Sequence, residues 1–287
     1  MHILVMCLTM KVSDEMRDLQ ELKERLGEII EEDKWHRSDR SESDGKAGNI
    51  LEDLLEIPEN NRRGADIIFD DGSEVELKTN KNKNTAVTFG GKKPENHIPQ
   101  REQIETYGNK KPIKPIKVRK MTKKKATKKK VKEELFEELF ETHFSTTFRA
   151  GKINKNRGLR TDVVGERVVI SDEKTGEEIM SWKIQDIVNK IVSKCGNMVH
   201  VDVDKRKVDG VEEYNYKSAT YYSGINPAAV RRMIESGDIA KETRSKIKRN
   251  NSIRDHGTVF RTNRKNLEGM YDKVEVWFFD ESGKKKK

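Results

Sequence analysis

Asp66, Glu76 and Lys78 lie within the stretch GADIIFDDGSEVELKT, which begins at Gly64. If residues 74–79 form a β-strand, Glu76 and Lys78 share one face of it, and the apolar residues around them point to the other. Carboxylate oxygens are ligands of hard cations such as Mg²⁺. A lysine beside the cation can orient or activate an attacking water and stabilise a pentacovalent phosphate. A metal-dependent nuclease requires these residue types at this spacing.

Asp66 would provide the second carboxylate, provided that it lies on the same face as Glu76. The Asp-Gly-Ser sequence at residues 71–73 predicts a β-hairpin, and directly opposed residues of antiparallel strands project to the same face. A two-residue turn would place Asp66 opposite Leu77, on the wrong face. A three-residue turn would place it opposite Lys78 and diagonal to Glu76. A catalytic role for Asp66 therefore predicts an odd-numbered turn or a bulge.

The pattern Asp-x9-Glu-x-Lys also has an ordinary interpretation. Many hairpins carry Glu and Lys on a solvated face without any catalytic role, and a pattern this short often arises by chance. Taken alone, it does not distinguish a nuclease site from a solvated hairpin.

The rest of the chain alternates helical and strand patterns around this hairpin. Apolar residues recur at spacings of three and four in the predicted helices and at every second position in the predicted strands. Ser13 and Asn226 are predicted helix N-caps, the second followed by Pro227 at the first helical position. The predicted helices cover residues 13–32, 46–55, 133–143, 184–194 and 227–237. The predicted strands cover residues 65–70, 74–79, 85–89, 167–170, 178–182, 198–203 and 214–222, followed by a strand–helix–strand unit over 258–279.

The net charge of +9 is unevenly distributed along the chain. Residues 110–132 contain 13 Lys or Arg and no acid, and residues 284–287 add four Lys; removing these 17 positive charges leaves −8 for the rest. Such like-charge runs are typical of solvated, disordered linkers, but they also serve as flexible arms that neutralise DNA phosphates. Both interpretations of this basic block, residues 110–132, stay open.

Composition excludes several classes of protein. The sequence is 33% apolar and 38% charged, and no apolar run approaches the about 20 residues of a membrane helix. The short apolar start lacks the basic residues of a secretory signal, and Met10 could be the true first residue. Cys7 and Cys195 do not form a CxxC pair, which excludes a cysteine-built zinc site. We expect a soluble protein of the reducing cytoplasm.

The surroundings of the hairpin resemble the MvaI/BcnI family of restriction endonucleases and, more distantly, the mismatch-repair nickase MutH. The similar parts occur in the same order: a Gly-containing helix ending in Leu-Glu at 48–52, an Asn-Asn turn at 60–61, Asp66, Glu-Leu-Lys-Thr at 76–79, and the segment 85–91. The segment RDHGTVFR, residues 254–261, is similar to another characteristic segment of that family. The resemblance spans residues 14–279.

The resemblance implies a role for each matching residue of the site. Asp66 and Glu76 would bind Mg²⁺, Lys78 would assist the attacking water, and Glu52 would be an additional acidic residue of the site. Gly48, one helical turn before Glu52, would allow its helix to approach the hairpin or DNA closely. The alternative for Glu52 is an ordinary solvated helix glutamate.

Candidate DNA-reading residues lie in the segment 254–261. Arg254 and Arg261 suit guanine edges or phosphates, and Asp255 or His256 could read a base. The alternative is an arginine–aspartate pair that braces a strand.

We expect an α/β fold, with a mixed sheet and flanking helices like those of restriction endonucleases, plus a second α+β lobe for DNA recognition. The catalytic lobe would cover residues 11–108 and the Lys-rich linker or insertion residues 109–132. The recognition lobe, whose helices would also complete the core, would cover residues 133–280, and a basic tail residues 281–287.

The resemblance further implies a monomer that cuts both strands of double-stranded DNA with Mg²⁺. The target would be a short, C/G-rich pseudo-palindromic site, the products would carry 5′-phosphate ends, and a companion DNA methyltransferase would act on the same site. Two alternatives stay open: a MutH-like nickase that needs a repair partner, and a DNA-binding protein without catalysis.

Overall fold

The computed structural model describes residues 16–37, 45–58, 64–80, 86–112 and 140–278. The chain divides into two compact units that interleave along the sequence. The first comprises Met1–Val87, Val192–Asn226 and Leu267–Lys287, and the second Thr88–Ile191 and Pro227–Asn266. Within the described ranges, no helix is long and apolar enough to cross a membrane.

A mixed six-stranded sheet forms the centre of the first unit. Its order is β1-β13-β12-β3-β2, and β16 also pairs with β13. The strands are β1 (His36–Arg37), β2 (Ile67–Ile68), β3 (Glu74–Asn80), β12 (Met198–Val208), β13 (Val211–Ile225) and β16 (Tyr271–Phe278). The pair β3–β12 is parallel, whereas β2–β3 and β12–β13 are antiparallel. This mixed sheet is the architecture that the sequence predicts for the catalytic core.

Two helices flank this sheet, α1 (Leu19–Glu31) and α2 (Lys46–Leu54). The side chain of Asp18 caps α1 by accepting a hydrogen bond from the Glu21 N–H at 2.9 Å. The helix therefore begins later than predicted, and the predicted cap Ser13 lies outside the described residues. Both helices bury leucines against the sheet, and each fully buried leucine contributes about 1.5–3 kcal/mol.

The strand β3 has the predicted alternation of faces. Val75 and Leu77 are buried in the core shared with α1 and α2. The tyrosines of residues 214–222, on β13, are also buried.

The second unit contains two five-stranded sheets and most of the later helices. The sheet orders are β5-β11-β10-β9-β8 and β4-β15-β14-β7-β6. The strands are β4 (Ala86–Gly91), β5 (Asn96–His97), β6 (Asn109–Pro112), β7 (Phe140–Phe148), β8 (Lys152–Asn154), β9 (Leu159–Val164), β10 (Arg167–Asp172), β11 (Glu178–Lys183), β14 (Ala240–Ile247) and β15 (Ile253–Asn263). The helices are α3 (Gln100–Tyr107), α4 (Ile184–Cys195), whose end belongs to the first unit, and α5 (Pro227–Glu235).

One local prediction in this unit is wrong, and several of its elements were not predicted, among them α3, β9 and β14. Residues 140–143 belong to the strand β7 instead of a helix over 133–143, because Phe144, Thr146 and Phe148 alternate inward; residues 133–139 lie outside the described residues. The strand β14 was not predicted, because its sequence AKETRSKI is rich in residues that are rare in strands.

The division of the chain differs from the predicted one. Residues of β12, β13 and β16, expected in a recognition lobe over 133–280, join the sheet of the hairpin instead. The physical reason is strand pairing: β3 has hydrogen-bonding edges on both sides, and β12 fills one of them as a parallel neighbour. The basic tail and most of the basic block lie outside the described residues.

Candidate active site

The β2–β3 hairpin places Asp66 and Glu76 opposite each other. Ile67 pairs with Val75 and Ile68 with Glu74, and the same register sets Asp66 against Glu76. The Phe69 N–H donates to the Ser73 carbonyl at 2.9 Å, so the turn between them has three residues. The predicted odd-numbered turn is confirmed. The predicted opposition of Asp66 and Lys78 is wrong by two residues, a shift that preserves the shared face.

The carboxylate of Asp66 is held in place by the neighbouring strand. Its Oδ2 accepts a hydrogen bond from the Leu77 N–H at 2.9 Å. One carboxylate oxygen is therefore committed to the backbone of β3, between Glu76 and Lys78.

Glu76 is a fully buried carboxylate with an unusual set of partners. Its Oε1 accepts hydrogen bonds from Lys78 Nζ, and Lys194 Nζ lies 3.2 Å from the same oxygen. Its Oε2 is buried without a hydrogen-bond partner in the described part of the chain. Burial raises the pKa of Glu76, and the negative charge of Asp66 adds to this effect against the lowering effect of Lys78.

Lys78 is a cation in this site. Burial acts to lower the pKa of its ammonium group, but the negative charges of Glu76 and Asp66 together raise the pKa above its ordinary value. A protonated lysine donates hydrogen bonds and balances negative charge, but cannot accept a proton. Its contact with Glu76 and its place in the pocket lining suit it to stabilise a negatively charged phosphate and to orient a water molecule.

A pocket of about 290 Å³ opens beside the hairpin. Asp66 and Lys78 line it from the hairpin, and Glu52 lines it from α2. Glu76 is not part of the lining, but it contacts Lys78, which is.

The helix α2 approaches the hairpin at Gly48. A Cβ atom added at Gly48 would lie 3.7 Å from Thr79 Oγ1, an ordinary contact. The packing of α2 on the hairpin therefore does not require a glycine at this position.

The site suits a divalent cation. Asp66 and Glu76 are close enough for one charge to perturb the pKa of the other, and Glu76 Oε2 is left without a partner in the described ranges. No group of three or more His, Cys, Asp or Glu side chains among the described residues is arranged to hold a metal. Mg²⁺ commonly takes only one or two protein carboxylates and completes its octahedron with water and substrate phosphate.

Lys194 is a residue of this site that the sequence analysis missed. It lies in the last turn of α4, and its Nζ also donates to the Gly64 carbonyl at 3.3 Å. A lysine near the end of a helix usually indicates a favourable interaction with the helix dipole. Lys194 is far from the hairpin in the sequence, and no spacing pattern indicates that it contacts Glu76.

The candidate DNA-reading residues lie on β15, in the second unit. Arg254, Asp255 and His256 are exposed, and Asp255 Oδ1 accepts from the Gly257 N–H at 2.8 Å. Arg261 is only partly exposed; it donates to Thr88 Oγ1 at 3.0 Å and forms an ion pair with Glu242. The bracing interaction that the sequence left open thus exists for Arg261, with Glu242 in place of an aspartate.

Comparison with known proteins agrees with this architecture. The MvaI/BcnI restriction endonuclease family matches residues 24–271, and no curated protein matches the chain. The solved structure "Restriction endonuclease MvaI-cognate DNA substrate complex" has 22% identity and a TM-score of 0.67, over 92% of this chain and 100% of the other. "Restriction endonuclease MvaI in the absence of DNA" has 20% identity and a TM-score of 0.45, over 92% and 99%. With the family match covering most of its length, the chain belongs to the MvaI/BcnI family and is a type II restriction endonuclease that acts on DNA.

Proposed function

We propose that this enzyme uses Mg²⁺ to hydrolyse both strands of duplex DNA at a short, C/G-rich pseudo-palindromic site. Asp66 and Glu76 are the proposed ligands of the cation, Lys78 the residue that stabilises the reacting phosphate, and Glu52 a further acidic residue. The observation that carries the proposal is the register of the β2–β3 hairpin, which sets Asp66 opposite Glu76 and beside Lys78.

The products follow from the chemistry of hydrolysis. Water attacks phosphorus in line and gives up a proton, the bond from phosphorus to O3′ breaks, and the leaving O3′ oxygen takes up a proton, so that one water is consumed and 5′-phosphate and 3′-hydroxyl ends result. A bound Mg²⁺ would supply Lewis-acid stabilisation of the developing charge. The Lys78 ammonium adds a positive charge at the wall of the pocket. The Leu77 N–H holds Asp66 in place, so that carboxylate need not reorganise during the reaction.

Arg254, Asp255 and His256 are the proposed base-reading residues because they are exposed on β15. Arg261 is included as a candidate for a guanine edge or phosphate contact, which would need its ion pair with Glu242 to open or to be shared. The basic block is proposed to add affinity for phosphates without affecting the choice of site.

The proposed enzyme acts as a monomer that nicks each strand in turn, and a companion methyltransferase modifies the same site. The test is digestion of unmethylated plasmid by the purified protein, with Mg²⁺ or with chelator, followed by sequencing of the ends. Discrete Mg²⁺-dependent fragments with common 5′-phosphate ends are expected. Open circles alone would favour a MutH-like nickase, and binding without cleavage on varied DNAs would contradict the proposal.

A further inference from the structure

Lys194 links the two segments that carry the proposed metal ligands. Its Nζ lies 3.2 Å from Glu76 Oε1 and donates at 3.3 Å to the carbonyl of Gly64, which stands two residues before Asp66. The side chain is 19% exposed, so that it is partly desolvated.

The position of Lys194 is fixed by the backbone around it. The chain leaves α4 and enters β12, the parallel neighbour of β3. The Glu76 N–H donates to the Asn197 carbonyl at 3.0 Å, and Asn197 Nδ2 donates to the Glu74 carbonyl at 3.2 Å. The end of α4 is thereby attached to the same residue, Glu76, whose carboxylate Lys194 contacts.

The two oxygens of the Glu76 carboxylate have different surroundings. Lys78 and Lys194 both engage Oε1, whereas Oε2 is buried with no hydrogen-bond partner in the part of the chain described. A carboxylate anchored through one oxygen has a restricted orientation, which also restricts the position of its other oxygen. Groups that contact a metal-binding carboxylate from outside the metal site orient it and tune the metal affinity.

We propose that Lys194 is a positioning residue for the endonuclease reaction: it holds Glu76 through Oε1 and so fixes the orientation of a carboxylate whose unpartnered Oε2 is the proposed ligand atom for the divalent cation. The inference rests on the proposed function of Asp66 and Glu76 as cation ligands. In this role Lys194 neither contacts DNA nor transfers a proton. It differs in this from Lys78, which lines the pocket.

The competing explanation is a purely structural lysine that balances buried negative charge and the dipole of α4. Both explanations predict some loss of stability when the charge is removed. Only the positioning role predicts weaker metal binding in a variant that remains folded, and it predicts that saturating metal restores most of the cleavage rate.

The experiment uses the full-length protein and Mn²⁺ as the probe, with free Mn²⁺ followed by electron paramagnetic resonance in the absence of DNA. Lys194→Met removes the charge at nearly constant length, Lys194→Gln is a second neutral variant should the first fail to fold, and Lys194→Arg restores the charge. Lys190→Met, one turn earlier in α4, is the matched control. The Mg²⁺ concentration that gives half-maximal cleavage is measured for the same variants.

The neutral variants are expected to raise the Mn²⁺ dissociation constant and the half-maximal Mg²⁺ concentration about 10- to 100-fold, with Lys194→Arg and Lys190→Met close to wild type. A folded neutral variant with wild-type Mn²⁺ affinity would overturn the positioning role, even if its cleavage rate fell, since Lys194 would then act elsewhere. Absence of Mn²⁺ binding by the wild-type protein, or binding that survives Glu76→Gln, would instead overturn the assignment of the metal ligands and this inference with it.

Discussion

The N–H of Leu77 donates a hydrogen bond to Oδ2 of Asp66 at 2.9 Å. This bond joins the residue just before β2 to the middle of β3, and it holds the Asp66 carboxylate at the backbone between Glu76 and Lys78. Leu77 therefore contributes to both the core and the site. Its side chain is buried in the core, and its backbone N–H holds Asp66.

Glu76→Gln should abolish cleavage, because the variant loses the negative charge of a proposed cation ligand. Loss of several kcal/mol of transition-state stabilisation corresponds to a rate reduction of about 10³-fold or more. Single-turnover cleavage of plasmid with saturating Mg²⁺ measures it. Glu74→Gln, at an exposed position of the same strand, is the control and should cut at the wild-type rate.

Glu76→Gln should also change how the stability of the metal-free protein depends on pH. Burial raises the pKa of Glu76, so this carboxyl contributes stability below its unfolded pKa and loses that contribution as the pH rises through its folded pKa. Calorimetric unfolding should therefore show wild type gaining stability relative to Glu76→Gln as the pH falls from neutral. Wild type losing stability relative to the variant on acidification would contradict this sign.

Lys78→Met should reduce the rate without removing the cation. Its ammonium group balances the charge of a phosphate, and removing one preorganised donor from an active site typically costs about 10²–10³-fold in kcat. Mn²⁺ binding should persist, with a loss of affinity no greater than that of the neutral Lys194 variants and in contrast to Glu76→Gln, because Lys194 still holds Glu76 Oε1. Equal losses of Mn²⁺ affinity in both variants would show that the two residues do not have separate roles.

Tyr216→Phe should destabilise the first unit while leaving the chemistry intact. The Tyr216 hydroxyl donates to the Ala47 carbonyl at 2.8 Å in the core, where it ties α2 to β13. Loss of this buried hydrogen bond should cost about 1 kcal/mol, measured by urea denaturation. A change far below this value would indicate that α2 is held by apolar packing alone.

Arg254→Ala and Arg261→Ala should differ in their effect on the stability of the protein. Arg254 is exposed, so its loss should relax base selection by about 1–3 kcal/mol at one position if it contacts a guanine, with stability unchanged. Arg261 pairs with Glu242, so its loss should also lower the free energy of unfolding. Cleavage of a randomised target library together with thermal melts distinguishes them.

Deletion of residues 113–132 should weaken DNA binding chiefly at low salt. Each phosphate that the basic block neutralises contributes about 0.9 to the slope of log affinity against log salt concentration. The deletion should therefore flatten this slope and leave the cut position unchanged. An unchanged slope would favour the interpretation of the block as a solvated linker.

Local sequence determined the parts of this protein that depend on neighbouring residues. The alternation of β3 sets Val75 and Leu77 in the core and Glu76 with Lys78 on the other face, because side chains of a strand alternate with a fixed period. The need for an odd turn followed from the same rule, since parity alone decides which face Asp66 shares.

Tertiary structure decided what depends on segments that are distant along the chain. The pairing of Asp66 with Glu76 was set by the turn geometry, which shifted the register by two residues. The assignment of β12, β13 and β16 to the hairpin's sheet, and the contact of Lys194 with Glu76, required β12 to pair with β3 in parallel. Periodicity cannot reveal such contacts, because hydrogen bonding between distant strands leaves no spacing pattern in either one.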